Sequence, residues 1–275
     1  MNIDFKLDET TRLVEIPVML NGKGPYAFHL DIGASKVMIR EELVELAGIE
    51  IIDNEIVEAK TASKPVPTRI GMVRELSLGS ETVTNQQVGV PNFQNLARWG
   101  GKNGINGVIG HNFLKNYRLE VSYPRKKLSL TKGEELSKTA GDDGLVPFEY
   151  LDGDTHLVTI NVNIDDKGSF PFILDTGAGG SIINTDLAKH LQLPLETSEI
   201  KAKSPAGLID THVAKIKEFK IPFKTYTNMS LIAIPLSHLA KNKNPVLGGI
   251  IGFDILKDFD LIIDYPNKRV GLARR

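Results

Sequence analysis

Hydrophobic and polar residues alternate along much of the chain with the two-residue period of a half-buried strand. Ile3, Phe5 and Leu7 alternate with polar neighbours, as do Val14, Ile16 and Val18. Asp8-Glu9-Thr10-Thr11 supplies a polar turn between these runs, and Asn21-Gly22-Lys23-Gly24-Pro25 a second turn. A strand over 26–30 then leads into Asp31. Val37-Met38-Ile39 reads as another strand, and 41–47 as a short helix stopped by Gly48. Residues 55–60 and 68–78 alternate again and flank a hairpin tip at 61–67. A strand at 88–90 precedes an Asn- and Gly-rich loop over 92–106. Gly107-Val108-Ile109-Gly110-His111-Asn112-Phe113-Leu114 then predicts a buried strand, a glycine break and a short helix. Leu119, Val121 and Tyr123 alternate, Pro124 turns the chain, and 128–130 is expected to close the half.

The pattern then starts again. Pro147-Phe148-Glu149-Tyr150-Leu151-Asp152 answers Asp4-Phe5-Lys6-Leu7-Asp8, and Leu157-Val158-Thr159-Ile160 answers Leu13-Val14-Glu15-Ile16. A helix at 186–191 answers the one at 41–47. Thr211-His212-Val213 answers Thr68-Arg69-Ile70, Gly249 to Leu256 answers 107–114, and Asp264-Tyr265-Pro266 answers Ser122-Tyr123-Pro124. Offsets of about 142–144 positions run through nearly the whole half, whereas a solenoid needs shorter and more numerous repeats. The expected fold is all-β: two related lobes about a pseudo-two-fold axis, with short helices. The charged, small-residue stretch 132–144 reads as the linker, which sets the lobes at 1–135 and 145–275.

Composition narrows the function without choosing it. With 33 basic and 34 acidic residues, the net charge of −1 gives no electrostatic basis for capturing nucleic acid or an anionic membrane. The chain has no cysteine, which excludes disulfides, thiolate catalysis and cysteine metal sites. The six histidines show no His-x-x-x-His spacing, so no metal site and no cofactor are expected. No run approaches the 18 or so apolar residues of a membrane span, and Met1-Asn2-Ile3-Asp4-Phe5-Lys6 lacks the shape of a signal peptide. The chain as given is expected to be soluble, monomeric and cytoplasmic, or exported and periplasmic if a signal peptide has been removed.

The chemistry gathers in a stretch that occurs twice. Ala27-Phe28-His29-Leu30-Asp31-Ile32-Gly33-Ala34-Ser35 is matched by Pro171-Phe172-Ile173-Leu174-Asp175-Thr176-Gly177-Ala178-Gly179. A lone Asp-x-Gly is a common turn. Here an apolar strand, Asp-x-Gly-Ala, a hairpin, two apolar residues before glycine and a short helix all recur together. Two carboxylates brought within a few ångströms cannot both ionise cheaply, so they share one proton. The charged member can then act as general base on water while the protonated member acts as general acid.

This constellation resembles the aspartic proteases, the pepsin-like and retropepsin-like group, over nearly the entire chain. The matching residues are Asp31-Ile32-Gly33-Ala34, Asp175-Thr176-Gly177-Ala178, Val108-Ile109-Gly110 and Ile250-Ile251-Gly252. The resemblance implies peptide-bond hydrolysis by an Asp31/Asp175 dyad acting on an extended peptide or protein substrate. Ile32, Gly33, Ala34, Thr176, Gly177 and Ala178 would support the dyad. In this family the residue after the aspartate is usually a threonine whose hydroxyl locks the two loops together; Thr176 fits and Ile32 does not. A peptide-binding module that keeps the cleft but is impaired by Ile32 is the alternative. Hairpin tips at Ser63-Lys64 and Pro205-Ala206 match the family's flaps, and neither carries an aromatic residue, which favours the retropepsin-like comparison. Ser35 and Ser181 follow the motifs without a nucleophile elbow and read as hydroxyls near the dyad. His29 reads as a packing or surface residue.

Overall fold

The computed structural model describes residues 2–59, 61, 65–91, 104–132, 144–204, 207–239 and 246–273. Eleven strands come from the first half. They are β1 (Asn2–Asp4), β2 (Lys6–Leu7), β3 (Val14–Leu20), β4 (Lys23–Leu30), β5 (Met38–Ile39), β6 (Glu50–Ala59), β7 (Val66–Leu78), β8 (Glu81–Pro91), β9 (Gly107–Ile109), β10 (Arg118–Ser122) and β11 (Lys127–Thr131). Eleven more follow: β12 (Val146–Pro147), β13 (Glu149–Tyr150), β14 (Val158–Ile164), β15 (Ser169–Leu174), β16 (Ile182–Asn184), β17 (Leu195–Ser204), β18 (Gly207–Ile221), β19 (Lys224–Ile234), β20 (Gly249–Ile251), β21 (Asp260–Asp264) and β22 (Arg269–Ala273). The helices are α1 (Glu42–Leu46), α2 (His111–Leu114), α3 (Thr185–His190) and α4 (Phe253–Leu256). None of them is long and apolar enough to cross a membrane.

The duplication read from the sequence appears as two eight-stranded sheets of one topology. The first runs β2-β3-β4-β9-β5-β8-β7-β6 and the second β13-β14-β15-β20-β16-β19-β18-β17. In each, an extra pairing, β3 with β7 or β14 with β18, joins the sheet back on itself into a small barrel. The inward positions are those the alternation marks. Val14, Ile16, Val18 and Leu20 are fully buried on β3, as are Val158, Val162 and Ile164 on β14, while Glu15, Pro17, Met19, Asn161 and Asn163 between them are more exposed. The strand at 88–90 extends over the whole of β8, because Glu81–Gln87 pairs with β7 despite its polar sequence.

Strands β10 and β11 do not close their own half. β10 pairs antiparallel with β21 of the second half, Arg118 facing Asp264 and Ser122 facing Asp260. A third, six-stranded sheet results, ordered β1-β11-β10-β21-β22-β12, with three strands from each half. Leu119, Val121, Leu261 and Ile263 of its central pair are buried completely. Local alternation shows that these segments are strands but not which partner they choose. An Arg125–Asp260 ion pair at 2.7 Å also crosses between the halves.

Parallel pairing places the aspartates. β4 runs parallel to β9, Leu30 beside Ile109, and β15 parallel to β20, Leu174 beside Ile251. The next residue stays in register in both halves: the Asp31 amide donates to the Ile109 carbonyl and the Asp175 amide to the Ile251 carbonyl, each at 3.0 Å. Phe28 and Phe172, both fully buried, lie across Gly107 and Gly249. A methyl group at Gly107 would overlap the Met38 carbonyl and the Phe28 ring; at Gly249 it would overlap the Ile182 carbonyl and the Phe172 ring. Gly107→Ala or Gly249→Ala should therefore cost about 1–3 kcal/mol or more through overpacking. Gly153→Ala, where a methyl would meet nothing within 4 Å, should leave stability near wild type. Urea unfolding midpoints measure the difference.

Candidate active site

Two crossed contacts define the site. A Cβ on Gly33 would lie 2.5 Å from the Asp175 carboxyl carbon, and one on Gly177 would lie 2.6 Å from the Asp31 carboxyl carbon. Each carboxyl group thus occupies the space over the opposite loop's glycine, which only a residue without a side chain leaves open. The two carboxyl groups are hydrogen-bonded to one another. The Gly177 amide donates to Asp175 Oδ1 at 2.7 Å.

The glycines of the two apolar-apolar-Gly motifs bring the following helices against these loops. A Cβ at Gly110 would approach the carbonyl oxygens of Ala34 and Lys36 to 2.6 Å; one at Gly252 would approach those of Gly180 and Ala178 to 2.6 and 2.8 Å. The next amides use the closeness: His111 N–H donates to the Ala34 carbonyl at 2.8 Å and Phe253 N–H to the Ala178 carbonyl at 2.9 Å. Side chains complete the hold. Asn112 Oδ1 accepts from the Val37 amide, and Asp254 Oδ1 accepts from the Ser181 amide, both at 2.8 Å.

The two loops are locked from one side. Thr176 is buried, and its hydroxyl donates to the Leu30 carbonyl at 2.7 Å while accepting from the Ile32 amide at 3.1 Å. Ile32 cannot return the bond; its side chain is buried in the main core instead. The bond that does form uses the Ile32 backbone, so the substitution removes half of the lock and leaves the other half whole. Neither serine is placed to attack a substrate. Ser35 donates to the Thr155 carbonyl at 2.7 Å, tying its loop to the second half. Ser181 donates to Asp254 at 2.6 Å and accepts from the Gly252 amide. His29 is fully buried, and burial presses its pKa down to about 4. Ser63, Lys64, Pro205 and Ala206 lie outside the described residues, as do 133–143 of the linker; the strands that flank the tips, β6–β7 and β17–β18, pair as hairpins.

Electrostatics follow from burial. Desolvation raises Asp31 well above the ordinary carboxylate value of 3.8; the neighbouring Asp175 charge and the hydrogen bond with Asp175 raise it further. Desolvation raises Asp175 too, but the Gly177 amide and the hydrogen bond from Asp31 hold it back. Backbone amides oppose the rise at both members, those of Gly33 and Ala34 at Asp31 and those of Gly177 and Gly33 at Asp175, so burial raises both carboxyls against a partial restraint on each. Two tyrosines escape a reading from single motifs. Tyr123 and Tyr265 are buried, their hydroxyls raised in pKa by desolvation, with the charge of Asp175 felt at Tyr123 and that of Asp31 at Tyr265. The duplicated Tyr-Pro marked both in the sequence, and alternation with Leu119 and Val121 marked Tyr123 as well.

An aspartyl protease family model matches residues 16–113 and again 160–255. The chain belongs to the aspartyl protease family, with one copy of the family unit in each half. No curated protein matches it in a sequence search.

Two outcomes test this geometry. Thr176→Val keeps the shape but leaves the Leu30 carbonyl and Ile32 amide unpaired, and should cost about 1–3 kcal/mol in urea unfolding. The dyad also makes stability depend on pH. The folded state keeps protons that the unfolded state releases near 3.8. The resulting stabilisation is complete below that value and is lost as pH rises through the folded-state pKa values. Unfolding free energy measured upward from pH 4 should thus fall less steeply in Asp31→Asn than in wild type.

Proposed function

We propose that the protein is an aspartic endopeptidase in which Asp31 and Asp175 share one proton and activate a water. The crossing of each carboxyl over the other loop's glycine is the observation that carries this reading. It brings two buried acids together, and their unequal environments divide the labour. Assigned the ionised role, Asp175 takes a proton from water as the water attacks the scissile carbonyl. Asp31 gives its proton to the carbonyl oxygen, and the tetrahedral intermediate collapses as the amine leaves with a proton returned from the dyad. No covalent enzyme intermediate is needed.

The substrate we infer is a peptide in extended conformation, pairing its backbone along the cleft and placing side chains in alternating pockets. The hairpins β6–β7 and β17–β18 are our candidates for its cover. We assign residues 1–135 and 145–275 to the two lobes. The intact Thr176 lock favours a working site over a cleft that only binds.

A peptide-library cleavage assay across pH 3–8 tests the proposal. Asp31→Asn and Asp175→Asn should each reduce kcat/KM by at least about 10²-fold, the scale of a lost general acid or base. Cleavage within a few-fold of wild type in either folded variant would overturn it.

A further inference from the structure

Beside each aspartate loop the two halves meet at equivalent junctions, and the junctions differ in chemistry. Next to the Asp175 loop, Phe253 opens α4 and packs edge-on against Tyr123 at 5.7 Å. A turn of the first half, closed by the Arg12 amide on the Asp8 carbonyl, comes up against this loop: a Cβ on Gly179 would lie 2.9 Å from the Thr11 carbonyl oxygen. Next to the Asp31 loop, His111 opens α2 in the place of Phe253, and the matching turn of the second half is closed by the His156 amide on the Asp152 carbonyl. Arg12 and His156 both adopt left-handed backbone, at φ of 63° and 54°, so the turns share a shape. One junction thus combines a phenylalanine with an arginine, whose charge states are fixed near neutral pH. The other combines two histidines, which titrate there.

The two imidazoles are stacked, with ring centroids 4.6 Å apart and planes within 10° of parallel. Tyr150 stands edge-on to both, at 5.4 Å from His111 and 5.2 Å from His156, and Tyr265 stands edge-on to His111 at 5.5 Å. His111 Nε2 shares a hydrogen bond with the Tyr150 hydroxyl at 3.2 Å. His156 Nδ1 faces the Asp154 carbonyl at 3.3 Å. A carbonyl only accepts, so Nδ1 carries the hydrogen and Nε2 is the nitrogen left to take a proton. The stack joins parts that also hold the Asp31 loop. The Thr155 carbonyl, one residue before His156, accepts from Ser35 Oγ at 2.7 Å, and the His111 amide donates to the Ala34 carbonyl at 2.8 Å.

We propose that the His111–His156 stack is an acid-sensitive clasp between the halves: it keeps the turn 152–156 docked on α2 and the Asp31 loop while at most one ring is charged, and releases the turn when both are. One imidazolium over a neutral ring is attractive. Two of them at this separation repel, and His111 is only 6% exposed, so water screens the repulsion poorly. Among the described residues no carboxylate pairs with either ring to balance a second charge. The titratable and charged groups around the pair are Lys115 on α2, Tyr150 on β13 with Lys268 over its ring, Tyr265, and Asp152 and Asp154 in the turn. The Asp152 carboxylate is engaged inside the turn, accepting from the Asp154 and Thr155 amides and the Thr155 hydroxyl. Lys115 adds to the repulsion. Burial, with His156 and Lys115, holds the His111 pKa down to about 4 from the ordinary 6.5. Since the released ring binds its proton more tightly than the docked one, docking is strongest above 6.5 and weakens as pH falls towards 4, by up to about 300-fold. This device goes beyond the peptidase reading and does not depend on it.

The test is a proton NMR titration of the full chain from about pH 7.5 to 3.5, with imidazole signals assigned through His111→Phe and His156→Asn. Phenylalanine is the residue at the equivalent junction, and asparagine suits the left-handed backbone. In the wild-type chain, nuclear Overhauser contacts between the two imidazoles should vanish in the interval where the second ring takes its proton, while those between Leu119 and Ile263 in the six-stranded sheet persist. His156→Asn should raise the His111 titration by at least about half a pH unit. In His111→Phe, contacts between Ser35 and Thr155 should last to the lowest pH. Ring contacts that survive with both imidazoles charged would overturn the proposal. So would an unmoved His111 titration in folded His156→Asn, or loss of the sheet contacts in the same step, which would make the release a global unfolding. Every readout is structural, so a failure here and a failure of the peptidase reading are told apart by the cleavage assay.

Discussion

Each carboxyl group of the dyad fills the space that a side chain on the facing glycine would need, and the rest of the molecule is arranged to keep it there. Two acids held this close repel when both are charged, and burial makes the repulsion stronger. The loops would part unless something else held them. Three sets of contacts do so. The parallel strands β4/β9 and β15/β20 fix where each loop leaves the barrel. The amides of His111 and Phe253 clamp the far end of each loop. Thr176 joins the two loops directly. All three are hydrogen-bonded and nearly dry, so they are strongest where the repulsion is also strongest.

The same framework shows how the site tolerates Ile32. A threonine there would add a second hydroxyl bond, worth about 0.5–1.5 kcal/mol. Isoleucine instead gives the main core one more buried apolar side chain, a gain of similar or larger size. The exchange is therefore close to neutral for stability, while the dyad becomes lopsided. Thr176 Oγ1 contacts the backbone on both sides of Asp31, at Leu30 and Ile32, whereas Ile32, which stands in the equivalent place, has no hydroxyl to do the same at Asp175. The loop that carries Asp31 is thus the one held by the hydroxyl.

Much of this was legible in the sequence because the signals were local and occurred twice. Alternation marked β3 and β14, the glycine at 48 marked the end of α1, where it adopts a φ of +64°, and the paired Asp-x-Gly-Ala stretches marked the site. Long-range choices were not legible. The six-stranded sheet depends on β10 selecting β21, and the composition of either strand is equally compatible with staying in its own half. Polar β8 was under-read because its pairing with β7, rather than its own pattern, makes it a strand. Tyr265 and His111 were missed for a related reason: they are 154 positions apart, and each alone looks like a core residue. Only the folded chain shows that their rings meet, at the end of the loop that carries Asp31.

That meeting depends on both halves being in one chain. β10 and β21 pair antiparallel about a centre where Glu120 faces Ile262, so the axis relating the halves passes between residues that are not alike. Identical subunits joined at such an axis would have to carry the same residue on both sides of the dyad. They would have two threonine locks or none, and two histidines beside two tyrosines or two phenylalanines. Joining the copies into one polypeptide removes that requirement. Thr176 can face Ile32 and His111 can answer Phe253 because each position mutates alone. A general acid and a general base need different environments to hold different pKa values at one pH. A two-fold site can obtain that difference only from bound substrate or from fluctuation, whereas in this chain the side chains around the two aspartates already differ.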